Sequence, residues 1–285
     1  MKLTNHRIEG EPFLPARLTG GLITPEVVVM HDTAGRLEQG NSARYLAETA
    51  KASVHFVVER DGTVTQLVPT NRRAGHAGQS TFQGRADVNG FSVGIEIVNP
   101  GKMTQVAWGV ALAWYGQEFG FGDYKLAEIT TPEHGKGVWM PYPEAQIAAV
   151  RELTEALFDG IPSLRDITTH WFISPGRKID TNPLFPLESL RARILGRDDP
   201  AVEVAEAGSE AMPGGRYLRV NAPSSGLNIR RWPSFNPNVI ATVPNGAELP
   251  VLRTGTFGGI GWHLVRFDGR EGWIVDRYTQ SAPSK

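Results

Sequence analysis

The stretch HWFISPGRKID, residues 170–180, gathers one imidazole, two cations and one carboxylate around a Pro-Gly turn. A second histidine, His31, closes the β-branched run VVVMH and is followed by the turn residues DTAG. Two imidazoles and a carboxylate delivered from loop ends, His31, His170 and Asp180, make a three-ligand set for zinc. Such a set leaves a fourth tetrahedral position for water, the arrangement of a catalytic rather than a structural site. Glu96 adds a carboxylate inside the apolar strand VGIEIVN, where it is costly to bury unpaired. Lys178, close to such a metal, is a fixed ammonium able to stabilise an oxyanion. The same residues admit a plainer reading. Lys178 and Asp180 then form a surface ion pair of little energetic consequence, and the histidines are satisfied polar groups. Glu96 in that case faces solvent from a sheet edge or pairs with an arginine such as Arg73.

Composition narrows the chemistry. The chain has 285 residues, a formal net charge of -1 and no cysteine. Near-balanced charge leaves no footprint for nucleic acid. The missing cysteines remove disulfides, a thiol nucleophile and thiolate metal ligands. The opening residues MKLTNHRIEGEPFLPARLTGG contain no apolar run of signal-peptide length, and no later window reaches a membrane span. The expectation is synthesis in the cytoplasm with no membrane insertion, so that action at a cell wall would follow release by another route.

The elements that must position these groups are partly legible. VVVMH reads as a buried strand, SVHFVVERDGTVTQLVP as a hairpin through Asp61-Gly62, and SVGIEIVN as another buried strand. PEAQIAAVRELTEALFDGIP reads as a helix with Pro143 in its first turn. Ile147, Val150, Leu153 and Leu157 share one face, and Gly160 with Pro162 forms its end. Strands mixed with helices predict an α/β domain, residues 1–195, with a mixed central sheet flanked by helices. Residues 101–141 are aromatic and glycine rich, fit no clean pattern, and are expected to form a long insertion able to wall a binding cleft. Residues 196–213 read as a linker. From residue 214 to 285, strands alternate with tight turns at Asn245-Gly246 and Asp268-Gly269, which predicts a small all-β barrel.

Six ordered motifs, HDTAG, SVHFVVERDGTV, RAGHAG, SVGIEIVN, YPEAQ and a terminal His with Lys, Asp and Pro spaced as in residues 170–186, resemble those of a known superfamily. It is that of the zinc-dependent N-acetylmuramoyl-L-alanine amidases of type 2, which includes AmpD and the peptidoglycan-recognition proteins. The resemblance spans about residues 22–190. It implies zinc held by His31, His170 and Asp180, with Glu96 and Lys178 as the catalytic pair. His76, Asn89, Ser92 and Arg177 lie in matching motifs and are expected to contact a muropeptide, although strand-end capping is an equal alternative for Asn89, Ser92 and Arg177. His55 is expected to pack or to support the site from behind, and His134 and His263 to be ordinary histidines. Amidases of the T7 lysozyme type carry a tyrosine before the His-Phe pair and a cysteine as third ligand. Val54 and Asp180 stand here, which places the chain nearer the AmpD-like branch.

The tail, LNIR..PS followed by GW..V...GREGWI, resembles bacterial SH3 domains over roughly residues 214–280. Together the two resemblances imply a peptidoglycan amidase of lytic, endolysin type. Its SH3-like domain is expected to contact the cell wall or to mediate self-association. Cytosolic recycling of anhydro-muropeptides and binding without catalysis are the alternatives.

Overall fold

The computed structural model describes residues 1–196, 208–212, 216–223, 226–230, 233 and 239–282. The chain divides into two compact units, Met1–Gly196 and Arg197–Lys285. Among the described residues, no helix is long and apolar enough to cross a membrane.

The first unit runs through β1 (Val27–Asp32), α1 (Asn41–Glu48), β2 (Phe56–Val58), β3 (Val64–Gln66) and β4 (Ser92–Ile97). It continues with β5 (Met103–Ala107), β6 (Val110–Ala113), β7 (Glu118–Gly120), β8 (Ala127–Thr131), β9 (Gly135–Trp139), α2 (Glu144–Gly160), β10 (Asp166–Thr169), α3 (His170–Ile173) and α4 (Leu187–Leu195). The central sheet has the order β10-β1-β4-β2-β3. It is mixed: β10, β1, β4 and β2 are parallel to their neighbours, and only the β2–β3 hairpin is antiparallel.

Side chains on a strand alternate between faces, and here the two faces do different things. Val28 and Met30 of β1 join Val93, Ile95 and Ile97 of β4 in a core with Val150, Leu153 and Leu157 of α2. Val27 and Val29 face the other way and pack with Ala77, Phe82, Val88, Phe91 and Ile173. By the same alternation His31 and Glu96, register partners on neighbouring parallel strands, continue that second face. Asp32 continues the α2 face. The helix is where its periodicity predicts, although Pro143 is its N-cap residue rather than a member of its first turn, and Ile147 is only partly buried.

Residues 101–141 are ordered rather than irregular. They build a second antiparallel sheet, β7-β6-β5-β9-β8. Each strand has three to five residues, too short for a period to stand out against the glycine turns between them. Met103, Ala111, Ala113, Phe119 and Val138 nonetheless form their own small core.

In the second unit the described residues form strands and one 3₁₀ turn, Asp276–Tyr278. Strands order as Val239–Pro244, Gly226–Arg230, Arg270–Val275, Ile260–Phe267, Glu248–Phe257, Tyr217–Val220 and Thr279–Ala282. Trp262, Trp273, Ile229, Val243 and Val265 are among its core residues. The expected turn at Asp268-Gly269 is a hairpin with both residues at positive φ, 50° and 71°, as a tight primed turn requires. The LNIRRWPS motif and the proposed linker fall partly outside the described residues. The described part of that linker stretch contains Glu210–Ala211, which pairs with Arg253–Thr254 as a short edge strand.

Leu153 is fully buried between α2 and the sheet. Leu153→Ala is expected to cost about 2–5 kcal/mol of stability, read from the urea-denaturation midpoint of the full chain.

Candidate metal centre

The carboxyl ends of parallel strands form a crevice in open α/β sheets, and the candidate residues collect there. His31 is the penultimate residue of β1, and His170 immediately follows β10, the neighbouring strand. The turn after α3 brings Asp180 back, its backbone carbonyl accepting from Trp171 N at 2.7 Å. Residues 139 positions apart thus meet, with His31 Nδ1 and His170 Nδ1 separated by 2.9 Å. Asp180 Oδ2 lies 3.0 Å from His170 Nδ1 and 3.4 Å from His31 Nδ1.

The surrounding hydrogen bonds assign the proton on each ring. Ser92 Oγ donates to Val88 O at 2.7 Å, so it accepts from His76 Nε2–H at 3.1 Å. His76 Nδ1 is therefore an acceptor, and its donor is His31 Nε2–H at 2.9 Å. His170 Nε2–H donates to Ala77 O at 3.2 Å. Both Nδ1 atoms are left as bare lone pairs facing each other and a carboxylate. Burial and the neighbouring His170 push the His31 pKa down to about 4, so the ring is neutral near pH 7.

Three electron-pair donors with no proton between them are a poor hydrogen-bonded cluster and a good cation site. Bonds of about 2.0–2.2 Å to tetrahedral zinc would set donors roughly 3.3–3.6 Å apart; the 3.4 Å between His31 and Asp180 lies in that range and the other two separations are a few tenths of an ångström shorter. His31, His170 and Asp180 are also the group of potential ligands among the described residues that lies close enough to hold a metal ion.

Glu96 borders this cluster. Its side chain is half-buried, and Oε2 is closed off from solvent with no hydrogen-bond partner. Burial, then the nearby Asp180 and Asp32 carboxylates, push its pKa well above the ordinary glutamate value, with Lys178 opposing. Arg73, the alternative partner, is engaged with Asp87 through two bonds of 2.6 and 2.7 Å.

Three of the four residues expected to touch substrate are buried. Ser92 is fully buried, Asn89 accepts from the backbone N–H groups of His76 and Ala77, and His76 lies beneath His31. These groups hold the His31 ring from behind. Arg177 is exposed, but its guanidinium donates to Ala77 O, Gln79 O and Ser174 Oγ, which ties two loops of the site together. His55 is buried, with Nε2–H donating to Arg72 O and Nδ1 accepting from Gly94 N.

The supporting roles of Asp32, Tyr142 and His134 escape sequence reasoning. Asp32 accepts from Tyr142 Oη at 2.6 Å and from Asn182 N at 2.9 Å, fixing the chain just past Asp180. Burial raises its pKa to about 7 against the Tyr142 hydrogen bond. The consecutive polar pair His31-Asp32 at a strand end was the available signal, since alternation sends the two to opposite faces. His134, expected to be ordinary, is 6% exposed and bonded to Thr181 O.

Gly94 makes the support of His31 possible. A Cβ there would stand 2.6 Å from His76 Cγ, so only glycine lets the ring lie against β4. Gly94→Ala is expected to displace His76 and weaken zinc binding by about 10–100-fold, the usual scale for a supporting partner. Competition with a chromophoric chelator measures it.

A family profile described as N-acetylmuramoyl-L-alanine amidase (Amidase_2) matches residues 22–183. The 1,6-anhydro-N-acetylmuramyl-L-alanine amidase AmpD of Escherichia coli is 32% identical over 154 residues, 53% of this chain and 63% of that protein. The N-acetylmuramoyl-L-alanine amidase AmiD of the same organism is 26% identical over 179 residues, covering 60% of this chain and 54% of AmiD. The chain thus spans less than two thirds of the length of these curated relatives. A solved complex of Escherichia coli AmiD with anhydro-N-acetylmuramic acid-L-Ala-D-gamma-Glu-L-Lys superposes with a TM-score of 0.47 at 26% identity, over 67% of this chain and 66% of that one. The profile takes in β1, β4 and β10 and all three clustered donors, more than half of the chain, and by that match the protein belongs to the N-acetylmuramoyl-L-alanine amidase (Amidase_2) family.

Proposed function

We propose that the protein is a zinc-dependent amidase that hydrolyses the amide between the lactyl group of N-acetylmuramic acid and L-alanine of the peptidoglycan stem. The observation that carries this reading is the buried, unpartnered Glu96 Oε2 beside two bare imidazole nitrogens and a carboxylate. His31, His170 and Asp180 would hold the zinc. When bound, zinc supplies Lewis-acid polarisation of the scissile carbonyl and acidifies the attacking water.

The remaining work belongs to this chain's side chains. Glu96 takes a proton from the attacking water at its free oxygen and passes it to the leaving amine of L-alanine. Burial and the neighbouring carboxylates raise its affinity for a proton, the direction that favours taking one from water. Lys178, close enough to oppose the upward shift of Glu96, stabilises negative charge on the carbonyl oxygen as it develops. The buried His76–Ser92 chain keeps His31 in the tautomer that presents Nδ1.

Residues 1–195 are the amidase domain in this reading, 196–213 a linker, and 214–285 an SH3-like domain. That domain would contact polymeric cell wall or a second copy of the chain, and by tethering would raise the local substrate concentration. This favours a lytic, endolysin-type enzyme acting at the wall. The names of the AmpD relatives favour a second substrate form, soluble 1,6-anhydro-muropeptides.

Zinc-loaded protein incubated with purified sacculi and, separately, with soluble anhydro-muropeptides separates the two by mass spectrometry of the products. Release of intact stem peptides from sacculi, abolished by a chelator and restored by zinc, is the expected result. Cleavage confined to soluble fragments would assign the recycling substrate, and no cleavage of either would defeat the amidase reading. Glu96→Ala should lower turnover by on the order of 10²–10⁴-fold while zinc stays bound. His31→Ala should lose both zinc and turnover, and an active, metal-loaded His31→Ala enzyme would remove it from the ligand set.

A further inference from the structure

The sheet formed by β5 to β9 reaches both loops that carry the clustered donors. Trp114, after β6, donates its indole N–H to Ala34 O at 2.6 Å, three residues beyond His31. At the other side, His134 Nε2 lies 2.9 Å from Thr181 O, the residue directly after Asp180. Asn182 Nδ2, one residue further, donates to Met140 O at the end of β9.

The proton needed for the His134 bond is assigned locally. Thr131 Oγ1 accepts from the backbone N–H of His134 at 3.1 Å, and its own hydroxyl proton is directed to Nδ1 at 2.7 Å. Nδ1 is thereby an acceptor, and Nε2 carries the ring proton and donates to Thr181 O. The ring is held edge-on between Trp139, at 5.5 Å, and Trp171, at 5.6 Å between centroids. Trp171 is the residue after His170, so His134 touches the chain next to two of the three donors. Lys102 Nζ fixes the backbone of His134 itself by donating to its carbonyl at 2.8 Å.

We infer that the inserted sheet is a clamp on the metal centre and that His134 is its positioning residue, holding the Asp180 carboxylate at ligand distance from His31 and His170 through Thr181. This rests on the metal-site reading above and adds to it a residue remote from the ligands in sequence. The flanking residues of the segment are held by Trp171 N on Asp180 O, by Asp32 and Tyr142 on Asn182 N, and by Met140 O on Asn182 Nδ2, and the Thr181 carbonyl between them is held by His134. Removal of that bond frees the peptide beside the only anionic donor of the set. Zinc should then bind more weakly and leave faster, with the ligands themselves intact.

Two substitutions separate the hydrogen bond from the packing. His134→Phe keeps an aromatic ring between the tryptophans and loses the donor. His134→Gln loses the ring and retains an N–H donor close to the position of Nε2. For the full-length protein, zinc affinity by chelator competition and zinc release into excess EDTA are measured beside the melting temperature of the metal-free form. His134→Phe is expected to weaken zinc about 10–100-fold with faster release, His134→Gln to keep parental affinity, and both metal-free proteins to melt together. Parental affinity in His134→Phe, equal loss in both, or a loss that follows a fall in the metal-free melting temperature overturns the inference. If His134→Phe does not fold, Thr131→Val takes its place. It preserves shape but leaves Nδ1 free to take the proton, and parental zinc affinity in it would likewise overturn the inference. Asp180→Ala is the control: retained zinc there would remove the metal-site reading itself, whereas lost zinc there with unaffected His134 variants would remove only the clamp.

Discussion

Two imidazole nitrogens without protons, turned toward each other and toward a carboxylate, are the arrangement on which the rest of this fold depends. Left alone, three electron-pair donors within about 3.5 Å would turn away or take up protons. Here neither is open to them. Each ring has its other nitrogen committed to a buried acceptor, His31 to His76 and His170 to Ala77 O. The neighbouring parallel strands fix where the rings start. The strain of holding them is the counterpart of affinity for a cation, since a site assembled before the metal arrives costs less to order when it binds.

Support for the site is layered on both faces of the sheet. Beneath His31, a chain of hydrogen bonds runs through His76 and Ser92 to a backbone carbonyl, and a glycine in β4 makes room for it. On the opposite face, Asp32 and Tyr142 hold the segment beyond Asp180. A single strand end therefore contributes a donor of the cluster to one side and a group that holds the Asp180 segment to the other. This follows from the two-residue period of the strand and explains why buried polar residues gather where β1 stops. Glu96 differs from all of these in having an oxygen with nothing to bond, and a buried acceptor left unpaired is costly enough to need a role.

Much of this was legible from residue types. The β-branched run before His31, the hairpin glycine, and the four apolar positions of α2 each carry a local rule that survives in the fold. Other features were not. Ser92, Asn89 and His76 read as substrate contacts because motif position says nothing about which way a side chain points; the chain between β3 and β4 turns His76 and Asn89 inward, and Ser92 is buried at the start of β4. The inserted sheet was opaque for a different reason. Strands of three to five residues, separated by glycine turns, carry too few alternations to rise above those turns.

The sequence by itself determined the available chemistry: no thiols, a few histidines, one carboxylate stranded in an apolar strand, and a pattern that sends His31 and Glu96 to one face. These are consequences of composition and of a two-residue period, which need no knowledge of distant contacts. Only the tertiary structure decided that His31 and His170 meet across 139 positions, which nitrogen of each bears the proton, and that His134 closes on Thr181 rather than standing apart. Those outcomes depend on strand order and on hydrogen bonds between segments far apart in the chain, and neither leaves a local trace in the order of residues.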